Sequence, residues 1–158
     1  MKKILTLIVT FLMLLSSSLL FAASNPMSPV GYWRTIDDVT GKQKGIVQIW
    51  ETADHTLYGR ILKIFPSPGH DQNEVCRECT GERHNKRIVG MVFLENLKQD
   101  SDHPNVWTGG TILDPNNGKI YRATVQVNDN GTALNVRGYL GISLFGRTQT
   151  WFRTGGVR

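Results

Sequence analysis

Cys76 and Cys79 stand three residues apart, with His70 and His84 on either side. Two thiolates and two imidazoles are a ligand set that suits zinc. The same Cys-x-x-Cys unit can cycle between dithiol and disulfide when it opens a helix in a βαβ context. It can also simply close a small disulfide ring that shapes a loop. The spacing matches no familiar zinc finger, and no helix or βαβ unit surrounds the pair. On the residues alone, metal, redox and structural readings all stand.

A second constellation is aromatic and basic. Gly31-Tyr32-Trp33 comes early, and Arg147-Thr148-Gln149-Thr150-Trp151-Phe152-Arg153 comes near the end. If those segments are neighbouring strands, an arginine from the last can lie over the face of Trp33, a cation–π contact of ~0.5–2 kcal/mol. Trp33, Trp151 and Arg153 are then structural, with the tryptophans filling the core. Arg147, Gln149 and Trp151 share one strand face, and Asn135, Arg137 and Tyr139 share another. Were both faces turned inward, Arg137 and Arg147 could grip a carboxylate or phosphate. Tyr58, Arg60 and Tyr121 join them as candidate ligand-binding residues. The opposite reading turns these faces to solvent, where arginines usually lie.

Asp37, Asp38 and Asp114 could form a carboxylate set, but each adjoins a turn, where Asp commonly bonds backbone amides. His55, His70, His84 and His103 fall in expected turns or loops. There is no Gly-x-Ser-x-Gly elbow, no His-Glu-x-x-His helix and no phosphate-binding glycine loop. Ser143 lies in a glycine-bounded turn with no adjacent base. The residues therefore name no reaction, no catalytic residue, no resident metal and no cofactor.

The elements that position these residues are short strands. Segments near Tyr32–Ile36, Gly45–Glu51, Leu57–Phe65, Ile88–Leu94, Val106–Leu113, Lys119–Val127, Ala133–Leu140 and Arg147–Thr154 alternate with turn signals. Asp114-Pro115-Asn116-Asn117-Gly118 and Asn128-Asp129-Asn130-Gly131 carry Asn/Gly pairs that accept the positive φ of tight hairpins. Asp38–Gly41 and Ala53–His55 are weaker versions. Tyr121, Ala123, Val125 and Val127 occupy one face of their strand, opposite Arg122, Thr124 and Gln126, which predicts one buried and one wet face. Hairpin after hairpin predicts an all-β fold, a single antiparallel up-and-down barrel of about eight strands. The segment Ile88–Leu94 is apolar on both faces, so something must cover it, either the long segment Pro66–Arg87 or a second subunit. Gly59, Gly109, Gly110 and Gly138, inside strands, predict bends and close approaches.

The head of the chain sets the compartment. Lys2 and Lys3 precede the apolar run Ile4–Leu15, and Ala22-Ala23-Ser24 supplies small residues for cleavage. This order is that of a secretory signal. The organisation read here is a leader over 1–24, a linker over 25–30 and one barrel domain over 31–158, with a long Cys-containing loop at 66–87. The expected location is the periplasm, with secretion beyond it open. Export shifts Cys76 and Cys79 towards the disulfide. Removing the leader takes away Lys2 and Lys3, leaving 16 Lys+Arg against 13 Asp+Glu, a net of +3. The excess is mild and scattered, which excludes a dense nucleic-acid groove but suits an anionic ligand or surface. No integral membrane segment is expected after cleavage, and a homodimer is an open possibility.

The longer stretches resemble a bacterial family known as domain of unknown function 2147. They are Gly31–Asp38, Leu57–Ile61, Cys76–Cys79, Gly109–Tyr121 and Arg137–Trp151. The Gly-x-Trp start and arginine-bearing last strand are similar to the closing signature of lipocalin-type barrels. The resemblance implies an exported, lipocalin-like barrel and no particular activity. The functional expectation is a protein that binds a small amphipathic or anionic ligand. The alternatives are a structural or protein-interaction module of the cell envelope and a metal-assisted enzyme using the Cys loop.

Overall fold

The computed structural model describes residues 27–128 and 130–157. The leader at 1–24 lies outside the described residues. Eight strands follow in order: β1 Gly31–Ile36, β2 Gln43–Glu51, β3 Thr56–Ile64, β4 Val92–Gln99, β5 Val106–Asp114, β6 Lys119–Val127, β7 Ala133–Tyr139 and β8 Gly146–Thr154. Each pairs antiparallel with the next, and β8 returns to β1, so the sheet closes into a barrel. Closure is made by Trp33 opposite Arg153 and Arg34 opposite Phe152. Single 3-10 turns at Gly81–Arg83 and Ser143–Phe145 complete the described elements.

The turns form for the reasons their residues suggest. Gly118 takes φ 67° and donates its N–H to the Asp114 carbonyl at 2.9 Å. Gly131 takes φ 72° and bonds back to Asn128 at 2.9 Å. Asp37 accepts from the Thr40 amide at 2.7 Å and the Thr40 hydroxyl at 2.9 Å, fixing the turn between β1 and β2.

Strand alternation fills the barrel. Trp33, Val47, Ile49, Leu57, Leu94, Leu97, Ala123, Val125, Val127, Leu134, Val136 and Trp151 are all buried in one cluster. Trp151 and Phe93 meet with ring centroids 6.0 Å apart. On β6 the face bearing Ala123, Val125 and Val127 is inside, as the alternation predicts.

The fourth strand departs from expectation. It runs Val92–Gln99, not Ile88–Leu94. Gly90 takes φ 96° and Met91 bonds back to Ile88, so the start of the apolar run is a turn. The ladder starts at Val92 and continues past Leu94 through Glu95, Leu97, Lys98 and Gln99, interrupted by a bulge at Asn96 (φ 61°). Beside it, Gly110 has no room for a side chain, since a Cβ there would overlap the Glu95 carbonyl and the Leu97 amide. The apolar excess has a simple use: Ile88 and Met91 are buried within the chain and join the core with Cys76 and Cys79. The run offers no exposed face for a second subunit.

Candidate functional site: a sealed barrel, its mouth and an outer arginine groove

One end of the barrel is sealed. Trp33 is fully buried and donates its indole N–H to the Pro29 carbonyl at 2.7 Å. The arginine over its face is Arg153, with Cζ 4.2 Å from the ring centroid. Arg153 donates from Nε to Gly131 O at 2.6 Å, from Nη1 to Val30 O at 3.0 Å and from Nη2 to Ser28 O at 2.6 Å. The guanidinium thus ties the entry segment, the β6–β7 turn and the first tryptophan together. Burial holds the Arg153 pKa below the ordinary arginine value.

The other end is the mouth. Here the inward wall changes from buried to half-buried at Ile61, Ile112, Tyr121, Gly138 and Gln149. Gly138 stands opposite Ala123 on one side and Arg147 on the other, and its missing side chain leaves room beside Tyr121 and Ile112. Arg147 reaches across to the turn after β1 and forms a two-pronged ion pair with Asp38, with Nε 2.5 Å from Oδ2. This hydrogen bond holds the Asp38 carboxyl below the usual range, and Asp38 in turn raises the pKa of Arg147. The Trp151 indole donates to Gln149 Oε1 at 3.3 Å, and the Asn117 amide donates to the Tyr121 hydroxyl at 3.1 Å. The polar groups of the mouth are engaged with one another.

The structure divides the candidate residues between the two faces. Arg147, Gln149 and Tyr121 belong to the inward face. Tyr58 and Arg60 do not, because Leu57 and Gly59 take the inside positions of β3 and period two turns Tyr58 and Arg60 out. There Tyr58 stacks on Trp50 at 5.9 Å and donates to Asn96 at 2.6 Å, while Arg60 donates to Gln48 at 2.9 Å. Arg137 is also outside. The β7–β8 register sets Arg137 opposite Thr148 and Val136 opposite Gln149, so the faces bearing Arg137 and Arg147 are opposite ones. Arg137 donates to Ser143 O at 2.8 and 2.6 Å, to Leu144 O at 3.2 Å and to Thr148 Oγ1 at 2.7 Å. The two-guanidinium site expected from β7 and β8 is therefore not formed.

The carboxylates divide as well. Asp37 and Asp114 serve their own turns, Asp114 accepting from the Asn116 amide at 3.0 Å. Asp38 instead finds a partner 109 residues away. Cys76 and Cys79 are joined in a disulfide with Cα atoms 5.3 Å apart. Both sulfurs are thereby withdrawn from a metal-ligand set. His70 contacts Glu74 at 2.9 Å, and His84 contacts the Cys79 carbonyl at 3.0 Å.

One residue escaped the sequence reading. Arg34, outward on β1, has a buried Nε with no hydrogen-bond partner. It lines an outer groove of about 510 Å³ with Gln43, Ile46, Phe65, Thr154 and the Gly155–Gly156 backbone. Its place beside Trp33 marks it as facing away from the core, but nothing local indicates that Phe65 and the C-terminal segment enclose it. A smaller cavity of about 190 Å³ lies near the sealed end, lined by Pro29, Glu51, His55, Leu57 and Trp107 among others.

A closed eight-stranded antiparallel barrel, sealed at one end by a first-strand tryptophan under a last-strand arginine, is a lipocalin-like barrel. The chain belongs to the family described as an uncharacterized protein conserved in bacteria (DUF2147), whose model matches residues 31–153. Among solved structures it is similar to protein HP1028 from the human pathogen Helicobacter pylori, described as belonging to the lipocalin family. That likeness has a TM-score of 0.67 at 22% identity, over 81% of this chain and 84% of that one. No curated protein matches the sequence. Among the described residues no helix is long and apolar enough to cross a membrane, which says nothing of a β-barrel.

Proposed function

We propose that this is an exported barrel that binds a small amphipathic, anionic ligand in the bacterial envelope. The observation that carries the reading is the unpartnered guanidinium Nε of Arg34 in its outer groove. A buried donor left unsatisfied costs about 1–3 kcal/mol, and a carboxylate or phosphate is the group that best removes that cost. Ile46 and Phe65 supply an apolar wall beside the charge, and the volume lies in the range of small-molecule sites. The deep interior, by contrast, is filled by Trp33, Phe93 and Trp151. In the mouth Arg147 already holds Asp38. Export is supported by the basic, apolar and small-residue order of the leader and is compatible with the Cys76–Cys79 disulfide.

Native mass spectrometry of protein purified from its own host tests for a co-purifying ligand. Calorimetric titration with dodecyl phosphate then compares wild type, Arg34→Gln and Arg147→Gln. Binding that Arg34→Gln weakens and Arg147→Gln leaves intact supports the groove. Loss with Arg147→Gln alone moves the ligand to the mouth. No co-purifying ligand and no binding of the probe overturn the reading. The mass of the mature protein in the periplasmic fraction tests the compartment; a retained leader contradicts export.

A further inference from the structure

Leu140, Ile142, Leu144 and Phe145 crowd one short connection between β7 and β8 at the mouth, and they are 59%, 61%, 76% and 78% exposed. A cluster of large apolar side chains held in water marks an interaction surface. The loop is built to hold them out. Arg137 grips the Ser143 and Leu144 carbonyls from the flank of the barrel, fixing the 3-10 turn that carries Leu144 and Phe145. The neighbouring elements continue the patch. Ile120 on β6 is 52% exposed, and Val39, in the turn that Asp38 ties to Arg147, is 84% exposed.

Charge favours one kind of partner. Around this patch stand Lys42, Lys119, Arg122, Arg137 and Arg147, against Asp37, Asp38 and Asp114. The 66–87 loop at the same end is balanced, with Arg77, Arg83, Lys86 and Arg87 against Asp71, Glu74, Glu78 and Glu82. Around the sealed end stand Glu51, Asp54, Asp100 and Asp102, against Lys98 and Arg153. The molecule is electrically polarised, with its positive end carrying the exposed apolar loop. Apolar side chains projecting from a tight turn among basic residues are the pattern that seats in the headgroup and acyl boundary of an anionic bilayer. We propose that the Leu140–Phe145 loop docks the barrel, mouth first, on an anionic lipid surface. Contact is reversible, since only a few side chains insert, and it weakens with salt as the basic rim is screened.

Flotation of the mature protein with vesicles of phosphatidylglycerol and phosphatidylethanolamine, against phosphatidylcholine alone, tests the proposal. Wild type is expected to float with the anionic vesicles and to be released by salt. The double variant Leu144→Ser/Phe145→Ser is expected to lose about tenfold or more in partitioning, as the burial of two large side chains requires, with unchanged circular dichroism. Phe145→Trp provides a second readout: its added emission shifts to the blue on binding if the loop inserts. The double variant is expected to bind dodecyl phosphate like wild type, because neither Leu144 nor Phe145 lines the Arg34 groove, which separates this surface from the ligand groove. The proposal is overturned if wild type ignores anionic vesicles, if the double variant floats equally well, or if the Phe145→Trp emission stays unshifted. It is also overturned if light scattering shows a dimer that the double variant dissolves, because the patch would then serve a second copy of the chain.

Discussion

Arg153 and Trp33, 120 residues apart in the chain, face each other across the β8–β1 closure with the guanidinium 4.2 Å from the ring centre. The same guanidinium satisfies carbonyls of Ser28, Val30 and Gly131. Replacing Arg153 with Ala removes the cation–π contact and leaves carbonyls at the sealed end without their donor. The expected loss is about 2–4 kcal/mol in urea unfolding. Arg153→Lys should recover only part of it, because an ammonium cannot reproduce the planar fork.

Gly110 sits where β5 crosses the β4 bulge. Gly110→Ala forces a methyl against the Glu95 carbonyl and the Leu97 amide, both backbone groups that cannot swing aside. A cost of about 2 kcal/mol or more is expected from such overpacking. Gly141→Ala is the comparison. Its φ of 70° strains an alanine, but nothing stands within 4 Å, so about 1 kcal/mol is expected. Equal melting temperatures for the two variants would contradict the crossing.

Acid should destabilise the barrel. Asp37, Asp38, Asp54 and Asp100 all have carboxyl pKa values lowered by hydrogen bonds, led by the Thr40 amide, Arg147, the Thr52 hydroxyl and the Asp102 amide respectively. A lowered folded pKa gives stability that is fully present above the unfolded value of about 3.9 and lost as pH falls through the folded value. Unfolding followed from neutral pH downward should therefore be flat until about pH 4 and then steepen. Asp38→Asn should reduce the slope in that acidic range and leave the shape above it unchanged.

The Cys76–Cys79 disulfide closes so short a ring that reducing it puts no more than about 2 kcal/mol at stake. The Cys76→Ser/Cys79→Ser variant should keep the far-ultraviolet spectrum of the barrel. Its 66–87 segment should be cut faster by limited proteolysis, with first cleavage sites mapped by mass spectrometry inside that segment.

Arg60→Ala tests the assignment of β3 faces. With Arg60 outside, against Gln48 and the Trp50 ring, the change should move stability by only about 0.5 kcal/mol and leave binding of dodecyl phosphate untouched. A large effect on either would return Arg60 to a ligand-facing position.

Much of this molecule was legible in its residues, for a physical reason. Period-two alternation and Asn/Gly turns act over a few positions, so seven strands could be placed near their observed limits, as could the hairpins that chain them. The lapse at β4 came from Ile88–Met91, where hydrophobicity reports burial and not extension: these residues enter the core from a loop. The tryptophan–arginine seal was also readable, because it rests on the adjacency of first and last strands. The spacing of Cys76 and Cys79 left metal, redox and disulfide readings open, and only the expected export favoured the disulfide that forms. What only the tertiary structure decided is the facing of the polar residues. A shift of one position between β7 and β8 would exchange the faces of a whole strand, and the register sent Arg147 to the mouth and Arg137 to the outer wall. The same long-range packing gave Asp38 to Arg147 and left the Arg34 Nε without a partner. These are matters of which distant segments meet, and no local pattern encodes them.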